Sequence, residues 1–375
     1  MKRIFALLLI FALLAGCAQA PVVDDDIATE TGHEPLRIMT SVFPQYDFVR
    51  QIAGDRVELS MLISPGGEPH AFEPSPRDII ALNNTDLVIY VGGHGEAWVE
   101  TILNSLDQPG LHRVALVDLV DTVYKEIVEG MEHDHDHDHD HSHDHDHDDH
   151  DHDHDDYDDD HHHDDHDDHH DEHDDDHHDD DHDRDHHDDD YDDHDHHHDE
   201  ELDEHVWTSP RNAITIVRAL TEILAELDPE NAGYFRENSA AFVAELEDLD
   251  RAFTEVVADG ARSTVIFGDR FPFRYLMDAY GLTYYAAFPG CSAETQASPA
   301  TIAFLIDKVH AENIPVVFYT EFSARTIANV IVEATGARPL ELHSAHNVSH
   351  ADFTGGVTYI DIMNQNLKQL REALN

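Results

Sequence analysis

The chain has 375 residues, with 82 Asp and Glu against 21 Lys and Arg and a formal net charge of −61. Such an acidic surface repels a phosphate backbone, so nucleic acid is excluded as a partner. Two cysteines leave no room for a framework of disulfides.

The first 16 residues read as a secretory signal peptide: Lys2 and Arg3, then an apolar run from Ile4 to Leu14, then small residues before Cys17. That run is too short to remain as a membrane span. "LAGC" resembles a bacterial lipobox, which implies cleavage before Cys17 and acylation of that cysteine. Residues 17–35 then form a flexible tether, and the expected location is the extracytoplasmic face of a bacterial membrane, held by lipid.

From residue 36 strands and helices alternate, so the fold class is α/β. "LRIMTS", "VELSMLI", "DLVIYVG" and "HRVALVDL" are apolar runs suited to a parallel sheet buried on both faces. In "SPRDIIALNN", Ser75 is the expected N-cap, with Pro76 in the first turn and Asp78 completing a capping box. The N-terminal lobe is assigned to 36–228.

Glu132 to Glu204 interrupts this lobe with 27 of the 36 His and 41 of the 82 acidic residues, and Arg184 as its sole cation. Its only large apolar or aromatic side chains are Tyr157, Tyr191 and Leu202, too few to offset chain entropy, so the insert is expected to be disordered. Imidazole and carboxylate in near alternation make a multi-site sponge for borderline metals. Acid alone would not require His at every second position.

A long amphipathic pattern over 229–260, with Tyr234, Phe242, Leu246, Leu249 and Phe253 near three-and-four spacing, predicts a rigid linking helix. The C-terminal lobe, 261–375, repeats the α/β pattern: "STVIFG", "TYYAAF", "IPVVFYT" and "RPLELHS" as strands, with helices between and after them. Ligands of such folds sit beyond the carboxyl ends of the strands, here in a cleft between the lobes.

Nine histidines lie outside the insert. His70 sits in the Gly/Pro loop after "VELSMLI", His205 just before a helix capped by Ser209, and His343 after the strand "PLEL". Three imidazoles at strand ends or helix starts are how a folded site for a borderline metal is built. His94, in a Gly-rich turn, reads as a surface residue, and Trp98 and Trp207 as packing near the lobe interface. Glu321 lies at a strand end, where it could orient a ligand. No "HExxH" is present, so a zinc hydrolase is not expected.

"PGGEPHAFEPSPRDI", "YVGGHGEAWVE", "EHVWTSPRNA", "RFPFRYLMDAYGL" and "GVTYIDIMNQNLKQL" together resemble the metal-binding solute-binding lipoproteins of bacterial ABC importers, the zinc and manganese uptake family. The resemblance runs from about Leu36 to the C-terminus. It implies two α/β lobes around a linking helix, a metal cleft, delivery to a membrane permease, and a His/Asp-rich loop just before the second ligand motif. It maps ligands to His70 and His205. The family's third ligand falls on Gly268, which has no donor, and its fourth on His343. Water, His346, Asp269 or Cys291 would then complete the set around Zn(II). Nitrogen-rich ligation favours zinc over manganese, with nickel and cobalt as competitors. The expected protein is a monomeric zinc carrier; the alternative is a surface metal buffer or adhesin without a transporter.

Overall fold

The computed structural model describes residues 34–69, 72–131, 201–290 and 297–375. The leader, Cys17, His70, Cys291 and the insert up to Glu200 lie outside the described residues.

The first lobe runs β1 (Leu36–Thr40), α1 (Phe43–Ala53), β2 (Val57–Met61), α2 (Pro76–Leu82), β3 (Leu87–Tyr90), α3 (Ala97–Ser105) and β4 (His112–Ala115). Its strands pair in parallel in the order β2-β1-β3-β4. The inner strand β3 is buried at all four residues, as a parallel sheet covered on both faces requires. Helix α2 begins where the capping pattern predicts: the Ser75 backbone N donates to Asp78 Oδ2 at 2.8 Å.

After α4 (Pro210–Leu227) and α5 (Ala232–Asp259), the second lobe runs β5 (Thr264–Phe271), α6 (Arg274–Tyr280), β6 (Thr283–Pro289), α7 (Pro299–Glu312), β7 (Val316–Tyr319), α8 (Thr326–Thr335), β8 (Arg338–Glu341), α9 (His350–Thr354) and α10 (Tyr359–Leu374). Its order, β6-β5-β7-β8, repeats the topology of the first sheet, again with every pair parallel. The molecule is thus two parallel-sheet α/β lobes.

Helix α5 is 28 residues long and packs on α1, α4 and α10. Phe242, Leu246, Leu249 and Phe253 face inward as expected, but Tyr234 is 37% exposed and Phe235 takes the buried position. The tyrosine lies at the surface, its hydroxyl against Gly54 and its ring beneath the Arg56 guanidinium. One core cluster draws on both sheets and on α1, α4, α5 and α10, with Trp207 fully buried in it. Asp47 on α1 reinforces the join: it accepts from the Tyr359 backbone N at 2.6 Å, while Arg50 donates to the Val357 carbonyl at 2.7 Å.

Composition assigns Glu201 to Glu204 to the insert; the structure assigns them to the lobe. Leu202 bridges to Tyr124, the Lys125 backbone N donates to the Glu201 carbonyl at 2.7 Å, and Asp203 and Glu204 are buried. Backbone pairing and burial, invisible in an acidic run, decide where the lobe resumes.

Candidate metal centre

A cleft of roughly 430 Å3, including its open mouth, lies beyond the strand ends; its wall includes Glu68, Pro69, His205, Arg270, Glu321 and His346. They come from five connections: Glu68 and Pro69 after β2, His205 before α4, Arg270 at the end of β5, Glu321 after β7 and His346 after β8.

His205 is 1% exposed and caps a 3-10 turn, Val206–Thr208, that leads into α4. Its ring Nδ1 lies 3.0 Å from Asp203 Oδ1, and the same oxygen accepts from the His205 backbone N at 2.9 Å. A carboxylate at Nδ1 makes that nitrogen the N–H and leaves the lone pair on Nε2, the tautomer a metal needs. The carbonyl of Asp203 in turn accepts from the Tyr275 hydroxyl at 2.7 Å, and burial pushes that phenol up to about 12, so it remains a donor.

His346 meets His205 with ring centroids 5.5 Å apart and planes at 88°. Two imidazoles bound tetrahedrally to one zinc at ~2.0–2.1 Å per nitrogen would have centroids about 5 Å apart, so the pair has the right separation to share an ion. Trp207 supports both rings, at 5.5 Å from His205 and 5.0 Å from His346.

The loop that carries His346 is tightly specified. Glu321 accepts from the Ser344 backbone N at 2.7 Å and from its hydroxyl, and Ser344 Oγ accepts from the His346 backbone N at 3.1 Å. Ala345 is held at φ 60°, and Asn347 donates to the carbonyls of Ser64 and Gly67 at 2.9 and 2.8 Å. Asn347 therefore ties this loop to the one that leads, through Pro69, to His70.

His343 is absent from the cleft wall. Its Nδ1 accepts from the Ala345 backbone N at 3.0 Å and lies 3.7 Å from Glu321 Oε2. The geometry ranks His346 ahead of His343. Asp269 is turned inward to join strands: Oδ1 accepts from the Arg270 backbone N at 2.9 Å, and Oδ2 accepts from the Thr320 N and hydroxyl, each at 3.0 Å. A side chain at Gly268 would meet the backbone of α8, its Cβ 2.5 Å from Ala328 Cα. The register of β5 slips between Phe267 and Arg270, so the cleft receives Arg270 and not residue 268. His94 is exposed, 3.9 Å from Glu201 Oε1.

Beside the cleft, Glu204 Oε1 accepts from the Gly95 backbone N at 2.5 Å, and burial raises the Glu204 carboxyl above its usual range. Glu96 caps the same turn from within, accepting from the Val91 N at 2.6 Å. Burial pushes its carboxyl up to about 7. Among the described residues no group of three or more His, Cys, Asp or Glu is placed to hold a metal, and the pair His205 and His346 is what the cleft offers. Asp203, Arg270 and Asn347 carry no signal in the sequence; Asp203 is camouflaged as the last of a run of acids.

The model of a family described as ZnuA, zinc-uptake complex component A periplasmic, matches residues 38–373. The Bacillus subtilis (strain 168) high-affinity zinc uptake system protein ZnuA is 26% identical over 371 residues, 99% of this chain and 97% of that protein. The Streptococcus pneumoniae (strain ATCC BAA-255 / R6) zinc-binding lipoprotein AdcA is 26% identical over 339 residues; these are 90% of this chain but 56% of that protein, so the chain spans about half of AdcA's length. The crystal structure of the Zn(II)-bound ZnuA-like domain of S. pneumoniae AdcA superposes with a TM-score of 0.62 at 23% identity, covering 91% of this chain and 99% of that domain. That likeness is one of fold.

Proposed function

The chain belongs to the zinc-uptake complex component A family, and we propose that His205 and His346, with His70, hold one Zn(II) in the cleft and surrender it to the permease of an ABC importer. The observation that carries this reading is the Asp203–His205–His346 arrangement: one imidazole with its tautomer set by a buried carboxylate, and a second 5.5 Å away. Zn(II) is the cargo. His205 and His346 supply neutral nitrogens, which suit zinc better than manganese. Water or an anion fills the position left open.

The chain's own residues do the rest of the work. Asp203 removes the need to order the His205 ring on binding, and Glu321 and Ser344 fix the backbone from which His346 projects. The reading is of a carrier, not an enzyme. It includes a monomeric protein held by acyl groups on Cys17 at the outer face of a bacterial membrane, and an insert that gathers zinc for the cleft.

Zinc titration of a protein lacking residues 132–200 tests the site. His205→Ala, His346→Ala and His70→Ala should each abolish the tightest binding event, whereas His343→Ala should retain it. Unchanged tight binding in both His205→Ala and His346→Ala would refute the assignment.

A further inference from the structure

Arg270 does not belong in a site built only for a dication. It lines the same cleft as His205 and His346, delivered there by the irregularity in β5. A guanidinium cannot be neutralised by losing its proton, so it opposes an incoming cation wherever an anion does not stand between them. Its one partner among the described residues is Glu68, at 3.6 Å, too far for a direct hydrogen bond. Glu68 is 47% exposed and Arg270 28%, so this is a loose pair at the rim. The other carboxylate in the wall, Glu321, is occupied by the backbone N and hydroxyl of Ser344. Arg270 thus brings planar N–H donors to a cleft in which, on the zinc reading, neutral imidazoles would leave the metal an open position.

We propose that the cleft takes zinc together with a small carboxylate, one oxygen on the metal and the carboxylate plane held by the Arg270 fork. Carboxylate is the anion whose geometry matches a guanidinium in two parallel hydrogen bonds. It also supplies the charged oxygen that zinc accepts beside nitrogen ligands. The cargo is then a zinc–carboxylate unit, and Arg270 reads the anion as the imidazoles read the metal. This rests on the zinc reading of the cleft given above.

The test is the zinc affinity of the full chain, measured by competition with a chelator that keeps free zinc too low to fill weak sites. Sodium perchlorate is compared with sodium acetate at equal ionic strength, with correction for acetate's own zinc binding. Acetate should tighten the wild type at least tenfold, Arg270→Gln less than twofold, and Arg270→Lys by an intermediate factor, since it keeps the charge but loses the fork. Glu68→Gln should bind as tightly in acetate as the wild type does. Equal wild-type affinity in the two salts overturns the proposal, as does undiminished acetate dependence in Arg270→Gln. Tight binding lost in Glu68→Gln under both salts also overturns it, because Glu68 would then be the carboxylate. His205→Ala separates the two readings: tight zinc binding retained in that variant defeats the zinc site itself, whatever the anion does.

Discussion

Asp203 holds His205 twice through one oxygen, which accepts from the backbone N at 2.9 Å and faces ring Nδ1 at 3.0 Å. Loop and ring are therefore set by the same carboxylate, and the ring can neither flip nor change tautomer without losing a buried contact. Asp203→Asn keeps the shape but permits the wrong tautomer. Zinc affinity should fall by about 10–100-fold, measured by chelator competition, with the secondary structure unchanged by circular dichroism. Wild-type affinity would show that Asp203 does not orient the ligand.

Gly290 lies against the same ring. A Cβ there would sit 2.8 Å from the Phe271 carbonyl and 3.3 Å from His205 Cε1. Gly290→Ala should cost about 1–3 kcal/mol of stability through overpacking. By displacing the ligand ring, it should also weaken zinc binding roughly tenfold. Urea unfolding and zinc titration of one preparation report the two effects separately.

Phe322 stands at the rim with φ 59° and 52% exposed, a left-handed conformation that bulky residues avoid. Asn tolerates that conformation. Phe322→Asn should match or exceed wild-type stability by about 1 kcal/mol, yet release zinc faster, because an apolar ring no longer shields the mouth. Stopped-flow zinc loss to excess chelator checks the rate, and a slower or unchanged release would contradict the shielding role.

Burial raises the Glu96 carboxyl from its ordinary 4.5 to about 7. The folded state then binds the proton more tightly than the unfolded chain does. Its contribution is complete below pH 4.5 and is lost as pH rises toward 7, at up to about 1.4 kcal/mol per unit. Glu96→Gln should flatten the wild-type fall in urea midpoint over that window. Parallel curves for the two proteins would refute the assignment.

Removal of residues 132–200 should leave the cleft affinity nearly intact, since Asp203, Glu204 and His205 remain in the lobe. If the insert gathers zinc, uptake should fall only when zinc is scarce, because a tethered supply raises the local concentration. Excess uptake at high zinc would instead indicate that a filled insert obstructs docking, and identical curves would dismiss both roles.

The inner strands were legible because a parallel sheet covered on both faces demands continuous apolar runs, and β3 and β7, buried at every residue, are such runs. Helix α3 was not; it has no capping side-chain bond and only Val99 and Leu103 fully buried. The place of His205 beside the cleft could be read from its position just before a helix that opens with proline. Which of His343 and His346 lines the cleft could not, because Ala345 between them adopts φ 60°, and so short a loop carries no periodicity to reveal it. Arg270 was hidden for a related reason: one extra residue in β5 reverses the alternation by which a reader counts faces.

One core cluster runs from one sheet to the other through α1, α4, α5, α6 and α10, so the two lobes share their buried apolar surface. Thermal melting should pass through one transition for both lobes, and whatever unloads the metal must work on the fringe of loops that Asn347 and Glu321 fasten. Loosening those few loop contacts would open the cleft without disturbing either sheet.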